Sequence, residues 1–317
     1  MAKVHFPKMP NSTTVTEFLL TRFSDVWELR VLHAMLFLLM YLATLMGNLL
    51  IVTVITFSWK LHTPMYFFIR NLSILDMCYI SVTVPKACVI FLLDDRTISM
   101  AGCAAQIFFV LAFATVELLF LNIMARDRVA ICQPLQYTVI MSPRMTLASI
   151  LSVRTYSGFH IPFCQSNVVH QFFCDMTSLL KLSCSETFNN EILVFISAVV
   201  IASGCFVFII MSYIHILSTV LKFPTKGEQG KAFSTCVPHI LVVTIFLSSG
   251  AAVYVKPTSS SPTIQDMINA VFYSIVPPFL NPIIYSLRNK EIKEAVKRVM
   301  RCCLTCTFSH LLSVLDV

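Results

Sequence analysis

Leu121-Asn122-Ile123-Met124-Ala125-Arg126-Asp127-Arg128-Val129-Ala130-Ile131-Cys132-Gln133-Pro134 closes the apolar run Cys103 to Ile123. At about 1.5 Å per residue that run can cross a bilayer core of roughly 30 Å. Arg126-Asp127-Arg128, one acid between two bases, then sits where the helix leaves the membrane. Such a cluster has two readings. One is an interface anchor; the other is a conformational latch on the cytoplasmic face of a receptor. The chain on either side decides between them.

The 317 residues are 57% hydrophobic and 12% charged, with a mean hydropathy of +0.79. A soluble domain carries roughly twice that charge, so the chain reads as one integral membrane domain. The net charge of +7 raises the question of nucleic acid. The basic residues, however, flank apolar runs instead of forming one patch, and that pattern sets topology. No nucleic-acid partner is expected. The opening residues lack the basic, short-apolar and small-residue pattern of a cleavable leader, so the first apolar run, from near Leu29, is expected to act as an uncleaved signal-anchor.

Residues 1–28 read as a polar, irregular tail carrying the sequon Asn11-Ser12-Thr13, a glycosylation candidate if this end is extracellular. Apolar runs follow at about 29–57, 65–93, 100–124, 191–221, 235–255 and 265–287, with 145–163 as a shortened fourth span. Residues 288–317 form a basic amphipathic segment and tail. With the N-terminus outside and seven spans, 14 of the 23 basic residues fall on or at the inner side, among them Lys60, Arg70, Arg128, Lys226, Lys231, Lys293 and Arg298. An even count would put the last nine of the 14 outside. Charge therefore argues for seven spans where hydropathy alone shows six plainly.

Asn48, Asp76, Glu117 and Asn281 lie inside spans one, two, three and seven. Polar groups at this depth are costly and face a bundle interior or water. For Asn48 alone, an interhelical hydrogen bond suffices. Asp76 and Glu117 would repel each other unless a shared proton or cation intervened, and a sodium ion held by oxygen ligands meets that need. A catalytic pair is disfavoured: no nucleophile–base arrangement accompanies the carboxylates, and the eight histidines show no zinc spacing. No organic cofactor is implied. A transporter is disfavoured too, since no inverted repeat appears. Pro282 removes a backbone donor from span seven and reads as a kink or a hinge.

Several stretches resemble the olfactory branch of the rhodopsin-like G protein-coupled receptors. They are Pro64-Met65-Tyr66-Phe67-Phe68 with Leu72-Ser73-Ile74-Leu75-Asp76, Ala125 to Pro134, and Ser212-Tyr213. Lys231-Ala232-Phe233-Ser234-Thr235-Cys236 and the run Pro278 to Lys290 complete the set. These motifs stand in the family's order and cover nearly the whole chain. The resemblance implies an all-α, seven-transmembrane helix bundle in the plasma membrane, multi-pass, with an extracellular N-terminus. It implies a small, mostly apolar odorant as ligand, a stimulatory G protein acting through cAMP, and membrane lipids as surroundings. It makes Arg128 a latch held by Asp127 at rest and released towards Tyr213 and Tyr285, with Asn281 and Pro282 in the same switch. It matches Asp76, Glu117 and Asn281 to a buried polar or sodium site, and pairs Cys103 with Cys174. Cys164 and Cys184 remain as a second pair. Sequence alone leaves the pairings open. Cys302, Cys303 and Cys306 follow the basic segment as palmitoylation candidates, with free thiols as the alternative. The ligand is placed between the outer halves of spans three, five, six and seven. Helical spacing from Cys103 and Tyr213 then suggests Val110, Leu111, Ala114, Ser197, Ile201, Leu247, Ala251 and Tyr254, which is equally the composition of ordinary helix packing.

The chain departs from the family in two places. Only Met145 to Phe163 stands where a long fourth span and a loop belong. Nineteen helical residues reach roughly 28 Å, and these contain Arg154, Gly158, His160 and Pro162. A mid-span arginine costs about 2.5–3.5 kcal/mol on insertion scales. In the opening stretch, Arg126 replaces an aromatic and Val129 follows Arg128 directly, one residue short of the family pattern. One residue lost rotates the downstream part of a helix by about 100°. The alternative to an active receptor is therefore a receptor-like membrane protein that folds poorly and does not signal.

Overall fold

The computed structural model describes residues 17–132, 167–169, 171–175, 179, 188–222, 225–254, 264–288, 291–299 and 301, for some of them, 126–132 included, the backbone alone. Helix α1 spans Trp27–Phe57, α2 Pro64–Leu93, α3 Met100–Cys132, α4 Phe188–Val220, α5 Lys226–Tyr254, α6 Ile264–Ser274 and α7 Val276–Arg288. A further helical segment covers 291–299. The expected fourth span, 145–163, lies outside the described residues.

The helices begin and end for local reasons. Pro64 opens α2, where its missing N–H and fixed φ are harmless. Asp94 ends it at φ 58°, a left-handed cap that stops the helix. Along α1, Phe37, Thr44, Asn48, Ile51 and Ile55 are buried at helical spacing, while Leu32, Met35, Leu39, Leu42 and Met46 point outwards. An outward apolar face suits lipid, not water. By length and composition α1, α2, α3 and residues 203–220 of α4 can each cross a bilayer; the bent pair α6–α7 adds a fifth when taken as one span. The apolar part of α5 is shorter, Cys236–Gly250.

Two features differ from the sequence expectation. The tail read as irregular carries a strand, β1 (Glu17–Leu20), that pairs antiparallel with β2 (Thr97–Ser99) and parallel with β3 (Val168–Val169). Phe18 and Leu20 are buried beneath this small sheet at 1% exposure, and their apolar burial stabilises strands too short to stand alone. The last span is broken at Ile275, where α6 and α7 meet at 45°. Pro277 and Pro278 cannot donate to the carbonyls of Tyr273 and Ser274, so the ladder fails there, while Pro282 lies inside α7.

Buried apolar residues form two clusters. The outer one gathers Phe18, Phe37, Phe91, Phe172 and Phe173 around Cys103–Cys174. The inner one gathers Tyr66, Leu72, Leu121, Met124, Tyr213, Val243, Tyr285 and Ile292.

Candidate functional site

Between the clusters lies a buried polar centre. Asp76 on α2, Glu117 on α3 and Asn281 on α7 are 1%, 4% and 1% exposed. The Asn281 Nδ2 group donates to Asp76 Oδ2 at 2.9 Å and Oδ1 at 3.2 Å, and reaches Glu117 Oε1 at 3.5 Å. One amide thus faces two carboxylates, which stand 205 and 164 residues from it in sequence. The site is rich in oxygen acceptors and poor in donors, which is the chemistry of a group awaiting a proton or a hard cation.

Helix α1 enters the same region through Gly47-Asn48. Pro282 has no N–H for the carbonyl of Pro278, four residues back. Asn48 Nδ2 supplies that bond instead, at 3.1 Å, while also donating to Thr44 O at 3.1 Å. Asn48 is fully buried, and its Oδ1 has no hydrogen-bond partner among the described residues. Gly47 lets α1 come this close: a Cβ there would lie 3.1 Å from Pro282 Cγ and 3.3 Å from its Cβ.

At the inner end, the Tyr213 hydroxyl is hydrogen-bonded to Nδ1 of His239, and both side chains are buried. Tyr285 is packed into the same inner cluster. Helix α3 continues through Asp127 and Arg128 to Cys132, but the side chains of those two residues lie outside the described set. The Tyr66 hydroxyl donates to Glu291 Oε2 at 2.6 Å, joining the start of α2 to segment 291–299, whose Ile292 and Ala295 are buried in the inner cluster.

At the outer end, Cys103 and Cys174 form a disulfide. Cys164, Cys184, Asn11, Cys302, Cys303 and Cys306 lie outside the described residues. Side chains are described for four of the eight candidate ligand residues. Val110 is buried and Leu111 packs on the outer cluster, Ala114 is half-buried, and Leu247 packs on the inner cluster instead. Ser197, Ile201, Ala251 and Tyr254 lie on α4 and α5, described in backbone only.

An ion-pair cluster fastens the β1 end. Asp94 accepts from Arg22 and faces Arg30 Nη1 at 3.5 Å and Arg96 Nε at 3.7 Å. The Arg22 hydrogen bond, with the other two guanidiniums nearby, holds the Asp94 carboxyl below its ordinary value of 3.8.

Sequence reasoning missed His239, Glu291 and Gly47. The first had a signal: a histidine inside the apolar run of span six is an ionisable group at depth, and zinc spacing is blind to that. Gly47 and Glu291 gave none, because their partners lie more than 200 positions away.

Known proteins are similar to this chain along most of its length. A family model described as "Olfactory receptor" matches residues 37–302. Human olfactory receptor 14C36 is 62% identical over 304 residues, covering 92% of this chain and 97% of the relative. Human olfactory receptor 14I1 is 49% identical over 302 residues, covering 92% and 97%. In the first match, 92% of 317 residues is about 292, so about a dozen of the 304 positions have no counterpart here. The crystal structure of squid rhodopsin superposes with a TM-score of 0.60 at 19% identity, covering 90% of this chain and 89% of that one, so the fold is that of the seven-helix receptors. The chain belongs to the olfactory receptor family.

Proposed function

We propose that this multi-pass plasma-membrane protein is an odorant receptor, not an enzyme. It binds a small, mostly apolar volatile molecule and activates a stimulatory heterotrimeric G protein, raising cAMP. The observation that carries this reading is the buried centre Asp76–Glu117–Asn281, set on a proline-broken span between an outer apolar cluster and a cytoplasmic tyrosine–histidine pair. An odorant bound against the outer halves of α3 to α6 shifts α6, and the break at Ile275 passes that shift to α7. Asn281 then changes its grip on the two carboxylates. A sodium ion fits their oxygen-only donor set, with Asn48 Oδ1, which has no hydrogen-bond partner among the described residues, nearby in the fold; its single positive charge favours the resting arrangement by relieving the repulsion between the two acids. In the active state Tyr213 leaves His239 and, with Tyr285, meets Arg128 freed from Asp127.

A cAMP reporter with a broad odorant panel tests this in cells with verified surface display. Arg128→Ala is expected to abolish the odorant response, and an undiminished response overturns the latch role. A second reading has its own support. The dozen missing positions, the short 145–163 stretch and the Arg128-Val129 junction favour a receptor-like product that does not signal. Tags in 222–231 and at the C-terminus separate the two: both are cytosolic for an intact seven-span receptor, and a lumenal tag at either place supports the second reading.

A further inference from the structure

Gln106 stands on α3 between Cys103 and Val110, at i+3 from one and i−4 from the other, so all three share one face of the helix. It is 6% exposed and spends its amide on two other segments. Nε2 donates to the carbonyl of Val82 on α2 at 2.8 Å, and Oε1 accepts the backbone N–H of Cys174 at 2.8 Å. Val82 follows Ser81, whose carbonyl is left without its helical donor by Pro85. One side chain therefore grips α2 beside its proline, and the loop at its disulfide. That loop carries Phe172 and Phe173, which are buried; the Phe172 ring meets Phe37 edge-on with centroids 5.3 Å apart. The disulfide fixes where Cys174 attaches to α3 but leaves its backbone free to turn about the side-chain bonds. The Gln106–Cys174 hydrogen bond removes that freedom.

We infer that Gln106 is a positioning residue of the odorant site: it sets the height and tilt of the 172–175 loop, whose Phe172, Phe173 and Cys174 share the outer cluster on which Leu111 packs. The odorant-receptor reading supplies the ligand and makes this loop its roof; the two hydrogen bonds of Gln106 stand without it. With both ends of its amide committed, Gln106 acts on potency through the roof and not as the ligand's main polar contact. Two variants dissect it. Gln106→Met keeps the shape and loses both bonds. Gln106→Glu keeps an acceptor for the Cys174 N–H and loses the donor to Val82.

The test uses the full-length receptor in phosphatidylcholine nanodiscs, read by hydrogen exchange of the peptide containing 171–175. In Gln106→Met the Cys174 amide is expected to exchange about ten-fold faster, the change of one lost hydrogen bond, with Gln106→Glu staying near wild type. An unchanged rate in Gln106→Met overturns the inference. In the cAMP assay, Gln106→Met is expected to raise the half-maximal odorant concentration about ten-fold at a retained maximal response, with Gln106→Glu in between. A loss of maximal response at unchanged potency also overturns it. If wild type answers no odorant, the receptor reading fails while the exchange result still decides whether Gln106 holds the roof.

Discussion

The outer and inner halves of this bundle are held together by different means. Outside, a disulfide, a three-stranded sheet, the aromatic cluster of Phe23, Phe37, Phe91 and Phe172, and the Asp94 ion pairs all converge. Inside, the helices meet through apolar packing, with a few hydrogen bonds between side chains: Tyr213 with His239, Tyr66 with Glu291, Asn281 with two acids. A covalent and many-stranded cap resists rearrangement. Hydrogen bonds of about 1 kcal/mol net can be exchanged at little cost. The outer half is thus built to hold a shape, and the inner half to change one.

That contrast can be broken from either side. The largest effect is expected from Cys174→Ser. A bridge of sequence separation 71 is lost, costing about 2–5 kcal/mol, and surface labelling should fall to a small fraction of wild type. Next is Gly47→Leu, which drives a side chain into Pro282 at a site with no spare room. Overpacking of this kind costs about 1–3 kcal/mol, so a lower thermal midpoint is expected from the inner half with the sheet intact. Tyr66→Phe removes one hydroxyl donor to an exposed carboxylate and should cost about 1 kcal/mol. Its readout is faster amide exchange within 291–299, with surface display maintained; no change would remove Tyr66 from the inner restraints.

The smallest effect is acid sensitivity of the cap. The folded Asp94 carboxyl titrates below its ordinary 3.8, so its contribution is complete above that value. It is lost as pH falls through the lower folded value. Proteolysis of the Glu17–Leu20 strand should be flat from about pH 8 to 5 and rise only below about pH 4; an increase already near pH 6 would point to another group.

Much of this was legible in the chain. Asp76, Glu117 and Asn281 announced themselves because carboxylates and amides in apolar runs must find one another, and α2, α3 and α7 bring them within hydrogen-bonding distance. The lengths of the apolar runs gave the helices, since a chain crossing a bilayer must satisfy its own backbone hydrogen bonds. The strand at Glu17–Leu20 was not legible, because its partners are Thr97–Ser99 and Val168–Val169 and neither pairing leaves a local trace. The break at Ile275 was half visible. Pro277 and Pro278 stood in the sequence, but hydropathy ran unbroken across them and Pro282 drew the hinge to itself. Helical spacing fixes a face, not a depth: of the candidates with described side chains, Leu247 packs on the inner cluster and Leu111 on the outer.

The bond from Asn48 to the Pro278 carbonyl has a mechanical consequence. A proline frees a helix to bend in any direction its neighbours allow. Here the vacated carbonyl is seized by α1, and Gly47 brings that helix flush against the proline ring. The thirteen residues of α7 therefore have a fulcrum on α1. They can swing about it as a lever, with Asn281 close to the pivot and Tyr285 farther out on the moving arm. A small displacement at the polar centre would be enlarged at the cytoplasmic end by the ratio of those two arms.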